Sequence, residues 1–256
     1  MPEFKEQITN MGKMIQSKTT PLTLYAEQEH SGLRAVVVLS IAVSYFLCFW
    51  LINILGQLLP ERVASLGFVI ACLLAAPLAI GITWLLEKWL KKVWHSGYSL
   101  SLQEEVMHVE QRDKDAMDFD FTGNFSNLNW YFKLAGYKRG GRERRVSDKW
   151  ICLCCQIQQD EHRLVVYAFA PPKKTAVYQT DHPLQFKKLS PGDIYDSQKD
   201  ARFAPPSRPN KLPPEIISGK NGRYWLAEQR RWQEGLELTF DDFETFLTYL
   251  QTFSLD

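Results

Sequence analysis

"AVVVLSIAVSYFLCFWLINILGQLL" runs from Ala35 to Leu59 without a charged side chain. A second such run, "SLGFVIACLLAAPLAIGITWLL", follows from Ser65 to Leu86. At a rise of 1.5 Å per residue, a helix of either length crosses roughly 30 Å of hydrocarbon. Core helices of water-soluble domains are seldom this long and charge-free. The expectation is therefore a two-helix transmembrane hairpin over residues 34–87, because only "PERVA" and its neighbours join the runs.

The charges around the runs orient the hairpin. Lys13, Lys18 and Arg34 precede the first run, and Lys88, Lys91 and Lys92 follow the second. The connection between them holds Arg62 next to Glu61. Lys and Arg collect on the cytoplasmic side of short loops, which predicts a multi-pass inner-membrane protein with both termini in the cytoplasm. Trp84, Trp89 and Trp94 cluster with those lysines where the second run ends, as interfacial indoles do. Residues 88–97 then read as a juxtamembrane linker. Pro77 predicts a modest bend in the second span. Upstream, residues 1–33 read as an amphipathic segment, with Phe4, Ile8, Met11 and Ile15 at helical spacing. The first apolar run starts too late and runs too long for a cleavable signal peptide.

Charge and cysteine content narrow the function classes. Across 256 residues the formal net charge is only +1, so no bulk affinity for nucleic acid is expected. Cys48 and Cys72 fall in the spans, while Cys152, Cys154 and Cys155 fall beyond them. In a reducing cytosol those three would be free thiols.

From Tyr98 onward the apolar residues mostly alternate. "YSLSL", "VMHVE", "MDFDF" and "NLNWYFKLAGY" read as successive strands, although Asn127 to Ala135 could instead form a helix ended by Gly136. "WICLCCQI" and "RLVVYAFA" flank the polar turn "QQDEH" and predict a β-hairpin. "PLQFKKL" is a further strand candidate. Residues 190–222, with "APPSRPNKLPPE" among them, have the composition of an extended excursion. Order is expected to return at "RYWLAEQRRWQEGLEL". The chain then ends in a helix capped by Thr239, with Phe240, Phe243, Phe246, Leu247 and Leu250 as its apolar stripe.

The predicted class is a membrane α-helical hairpin plus an α+β cytosolic domain over residues 98–256. That domain would be an antiparallel bent sheet or open barrel closed by a C-terminal helix. The strands from Tyr98 to Ala170, with the helix from Thr239 to Phe253 behind a two-span hairpin, resemble the bacterial membrane proteins with a pleckstrin-homology-like cytosolic domain. The resemblance implies a domain that contacts phosphorylated headgroups through a basic hairpin loop.

Two clusters invite a chemical reading. Lys138, Arg139, Arg142, Arg144, Arg145 and Lys149 share the stretch before "WICLCC" with only Glu143 and Asp148 opposing them. Such a loop gains on the order of 1 kcal/mol per cation close to an anionic leaflet. It can equally be a solvated hairpin tip bridged to its own acids. A nucleotide or nucleic acid is the weakest option, because no aromatic residues interleave the cations. In the second cluster, Cys152 and Cys154 point to one side of a strand and Cys155 to the other. A structural zinc site needs four converging ligands at a different spacing, so buried apolar thiols are expected and no metal or other cofactor is implied.

No phosphate-binding loop, serine nucleophile motif or metalloprotease motif is present, so the chain does not read as an enzyme. The leading expectation is a non-enzymatic accessory or scaffold protein. Its partners would be membrane lipids and either another protein or a second copy of the chain. The alternative is a ligand-sensing membrane effector whose hairpins oligomerise and permeabilise the bilayer. Spans without ionisable residues offer no ion or proton path, which speaks against a transporter.

Overall fold

Strand after strand in the second half of the chain alternates between two apolar layers, and that alternation builds the domain. In the computed structural model, which describes residues 21–28, 31–57, 67–112, 114–135, 141–180, 182–190 and 211–254, the chain forms two compact units. One comprises residues 27–96; the other comprises residues 97–256 together with the segment up to Ala26.

The smaller unit is a pair of long helices, α1 (Ser31–Gln57) and α2 (Gly67–Val93), packed along their lengths. Phe49, late in α1, meets Phe68, early in α2, with ring centroids 5.6 Å apart, so the helices run antiparallel. Their seam is built from small side chains. Ala71, Ala75, Ala79 and Thr83 recur every fourth residue on α2 and are buried, against Ser44 and Cys48 of α1. A four-residue repeat holds one helix face, and small residues there let two backbones approach closely. Helix α2 continues through Pro77 and ends at Val93, so Lys88, Trp89, Lys91 and Lys92 of the expected linker are its last turns.

The larger unit holds two sheets. Strands β1 (Leu22–Tyr25), β2 (Ser99–Leu102), β3 (Val106–Gln111) and β4 (Lys114–Asp120) form an antiparallel sheet in that order. Strand β1 lies in the later part of the segment read as amphipathic over residues 1–33; the helical spacing of Phe4 to Ile15 falls outside the described residues. Leu24 pairs with Leu100 and faces the core, and the Ala26 N–H donates to the Tyr98 carbonyl at 3.0 Å.

The second sheet is centred on β5 (Ser126–Lys133), β6 (Ile151–Gln159) and β7 (His162–Ala170), all antiparallel neighbours. Asn127 to Lys133 is thus strand, not helix. Asp160, with a φ of 50°, turns β6 into β7, a conformation that Asp tolerates better than most residues. After β7 come the short helix α3 (Ala176–Thr180) and β8 (Lys187–Lys188), which pairs parallel with β5. Helices α4 (Pro214–Ser218) and α5 (Gly222–Glu234) follow, then β9 (Leu236–Glu237), parallel with β7, and α6 (Phe240–Ser254). A side chain at Gly222 could not fit the α4–α5 junction, because its Cβ would stand 1.8 Å from the Ile217 carbonyl oxygen.

Both faces of the five-stranded sheet are covered. On one, Tyr131, Leu153, Cys155 and Val166 pack with Leu100, Met107 and Phe119 of the four-stranded sheet and with Phe243, Phe246 and Leu250 of α6. On the other, Trp130, Phe132, Cys152, Cys154 and Tyr167 pack with Trp225 and Ala227 of α5. The unbroken apolar run "ICLCC" is what a strand buried on both sides requires. Helix α6 starts as its sequence predicts. Thr239 Oγ1 accepts from the Asp242 N–H at 3.1 Å and donates to the Asp242 carboxylate at 2.7 Å.

Candidate functional site

The register of the central strands places Lys133, and Lys173 and Lys174 just after β7, at one end of one sheet. Lys133 stands opposite Ile151, and Ile151 opposite Ala170, so β5, β6 and β7 all reach the same end. The segment joining β5 to β6 leaves from that end, its neck closed by the Leu134 N–H donating to the Trp150 carbonyl at 3.2 Å. Lys173 and Lys174 follow β7 there, and Lys187 and Lys188 lie beside Trp130 and Tyr131 on β8. Lys133, Lys173, Lys187 and Lys188 are all exposed. Their collection depends on strand pairing across more than fifty residues, which no local motif announces.

The connecting segment itself is partly folded inward. Gly141–Arg145 forms a 3₁₀ turn, and its Glu143 is only 2% exposed. Arg231, on the α5 face that covers the sheet, donates from Nη2 to the Glu143 carboxylate at 2.8 Å. The same guanidinium holds Glu228 with two bonds of 2.8 Å, from Nε and Nη2. Glu228 also accepts the Trp130 indole N–H at 2.9 Å. The guanidinium carbon lies 5.1 Å from the centre of the Phe132 ring and 4.8 Å from that of Tyr167. Burial alone would push the Arg231 pKa down, but Glu228 outweighs it and holds the guanidinium charged. One cation between two carboxylates, walled by aromatics, thus ties the turn to α5 across 88 residues of sequence. Sequence reading missed it because Glu228 and Arg231 look like surface residues of an amphipathic helix.

Of the six cations expected to form the site, Arg144 and Lys149 are exposed. Arg145 is half-buried and donates to Glu237 of β9 at 3.3 Å, so it is a structural ion pair. Lys138 and Arg139 lie outside the described residues, as does the side chain of Arg142. Among the other cations at this end, Lys174 reaches Asp241 at 3.5 Å. No nucleophile–base pair accompanies this cluster among the described residues. What it can do is attract anions.

The cysteines alternate as their spacing predicts. Cys152 and Cys154 lie in the α5-facing layer with their sulfurs 3.5 Å apart, and Cys155 lies in the opposite layer. All three are buried and free, and burial raises the Cys154 and Cys155 thiols out of the reactive range.

In the helical unit, Trp84, Trp89 and Trp94 are exposed over the last turns of α2 and just beyond them. Lys88 Nζ sits 3.6 Å above the Trp84 ring, and Lys91 pairs with Glu87 at 2.7 Å. Lys92 is exposed among them. No protein-family model, curated protein or solved structure matches the chain.

Proposed function

We propose that this chain is a non-enzymatic inner-membrane accessory or scaffold protein, anchored by α1 and α2, whose larger unit contacts anionic lipid headgroups through the basic end of its five-stranded sheet. The observation that carries the reading is that Lys133, Lys149 and Lys173 are exposed at one end of the five-stranded sheet, with Lys187 and Lys188 exposed along its β8 edge beside Trp130 and Tyr131. Each cation near an anionic surface adds on the order of 1 kcal/mol, so several weak contacts suffice once a membrane anchor holds the unit nearby. The hairpin's outward face supports the anchor: Phe46, Trp50, Leu73 and Leu85 are all more than half exposed. An antiparallel four-stranded sheet, a mainly antiparallel five-stranded sheet with parallel edges at β8 and β9, and a C-terminal helix support the resemblance to pleckstrin-homology-like modules. The cationic ends of both runs support a cytoplasmic location of both termini.

Because β1 belongs to the larger unit, the test uses the full chain. Hydrogen exchange of residues 133–149 and 173–188 is compared in nanodiscs of phosphatidylcholine and in nanodiscs that also hold phosphatidylglycerol. Exchange should slow in the anionic discs and recover near about 0.5 M salt, where screening shortens the reach of exposed charge. Changing Lys133, Lys149, Lys187 and Lys188 to Ser should remove the difference. Equal exchange in both lipids would overturn the lipid contact, and an active periplasm-specific phosphatase fused to the C-terminus would overturn the orientation.

A further inference from the structure

A cleft of about 280 Å³ opens in the larger unit beside the first half of β5, bounded by residues other than the cations of the basic end. Its walls are Asn129 of β5, Leu184 and Gln185 of the turn before β8, Arg223 and Tyr224 of α5, and Gln251 of α6. The opening exists because β8 pairs with β5 only at Trp130 and Tyr131. Its volume is at the small end of metabolite sites.

Two features of the cleft, on different elements, call for opposite things in a ligand. At one wall Asn129 is 4% exposed. Its Nδ2 donates to the Leu184 carbonyl at 2.8 Å, which fixes the amide orientation, and its Oδ1 is left buried with no hydrogen-bond partner. A buried acceptor without a donor costs about 1–3 kcal/mol, so this atom calls for an N–H or O–H. The neighbouring polar groups are already engaged: the Leu184 N–H donates to His182 Nδ1 at 3.2 Å, and the other ring nitrogen lies 3.1 Å from the Gln251 amide.

Arg223 stands at the other wall, exposed, in the first turn of the thirteen-residue helix α5. Its guanidinium contacts the Tyr224 hydroxyl at 3.4 Å and lies 5.0 Å from the Tyr224 ring centre, and among the described residues no carboxylate pairs with it. Asn221, at the N-cap, makes no side-chain cap. A guanidinium beside the positive end of a helix dipole favours an anion.

We infer that this cleft binds a small anion that carries an N–H donor beside its charge, with the N–H directed to Asn129 Oδ1 and the anionic group to Arg223. A carboxylate next to an amide, as in an N-acyl amino acid, and a phosphate next to an amine share this chemistry. The cleft is too small for a folded partner, and its wall is set by β5, so the site is independent of the lipid contact proposed above.

The experiment is saturation-transfer NMR and equilibrium dialysis on the full chain in detergent, with N-acetylglycine and phosphoethanolamine as the two sources. Acetate and inorganic phosphate serve as controls without the donor. One of the first pair should bind at least about tenfold more tightly than its control, the factor that about 1.4 kcal/mol represents. Arg223→Gln, at an exposed position, should weaken that binding by a similar factor with melting unchanged. Asn129→Leu removes the acceptor and should bring the binding of the probe down to that of its control, with folding checked by melting. Equal binding of probe and control, unchanged binding by R223Q, or no binding of either probe would overturn the inference.

Discussion

The two units bury their side chains in opposite order of size. In the larger unit the biggest residues are inside: Trp130, Phe119, Phe132, Phe243 and Phe246 are each at most 1% exposed. Along the seam of the helical pair the buried residues are small, with Ala71, Ala75 and Ala79 at 1% or less, although Leu33 near the start of α1 is also buried; Trp50, Phe46 and Leu73 are 62%, 67% and 69% exposed. An amphipathic core driven by water puts large apolar groups inward because each removes more area from solvent. That drive vanishes for a helix pair whose surroundings are as apolar as its side chains. Close backbone approach between small residues then becomes the source of attraction. The inverted order fits two helices that are each long and apolar enough to cross a membrane.

The sharpest way to break this comparison uses one residue type in both places. Trp130→Ala removes a fully buried indole and strips a donor from Glu228, and should cost about 4–5 kcal/mol of unfolding free energy. Trp50→Ala should leave the melting of the larger unit within about 0.5 kcal/mol of the parent. Thermal or urea unfolding of the full chain in detergent reads both. Comparable losses would mean that Trp50 lies in a core of its own.

Next in size is the buried ion cluster. Arg231→Met leaves Glu143 and Glu228 without their shared cation and should cost about 3–4 kcal/mol. Adding Glu143→Gln and Glu228→Gln should recover most of the loss, because the uncompensated charge, not the lost contact, dominates it. If the triple variant is as unstable as the single one, the cluster contributes through geometry instead.

These two sites also mark how far the sequence could be read. Period-2 alternation located β2 through β7, charge-free length located α1 and α2, and Thr239 located the start of α6, because each signal is local. Strand β1 escaped: four residues between two polar stretches carry too little pattern, and their partner β2 lies more than seventy residues away. The strand candidate "PLQFKKL" holds β8, although only Lys187–Lys188 pair, whereas β9 is two residues long and exists only through parallel pairing with β7. The basic loop was legible as a charge run, but not that Glu143 and Arg145 turn inward to α5 and β9. Nor could the lysines of β5 and β8 be placed with it, since that requires knowing the register.

A pH dependence should follow from His182, which stacks on Tyr178 with centroids 4.7 Å apart and is 7% exposed. Nδ1 accepts from Leu184, so the ring proton sits on Nε2 and the Gln251 amide must turn its oxygen toward it. Burial pushes the pKa down to about 4, below the ordinary 6.5. The unfolded chain therefore binds more protons between those values, and stability rises with pH across that window. The contribution is nearly complete above about pH 6.5 and should fall by about 3 kcal/mol as the pH drops to about 4. Glu244, raised by burial, works in the opposite sense, so the comparison that isolates the effect is His182→Gln, whose profile should be flatter. An unchanged slope would show that His182 keeps an ordinary pKa.

The smallest effect belongs to the cap of α6, where the comparison between the units can be tuned without touching either core. Thr239 is exposed, and its side chain both accepts from the Asp242 N–H and donates to the Asp242 carboxylate. Thr239→Ala removes this reciprocal pair from one helix end and should cost about 1 kcal/mol. Thr239→Ser keeps the hydroxyl and should cost less. Because α6 packs on β7 and on the layer between the two sheets, the loss should be shared by the whole larger unit and seen as a lower melting temperature. Amide exchange in α1 and α2 should not change, since the helical unit has its own seam. Faster exchange in both units on loss of one exposed hydroxyl would mean that they unfold together, and that the opposite packing orders belong to one cooperative structure.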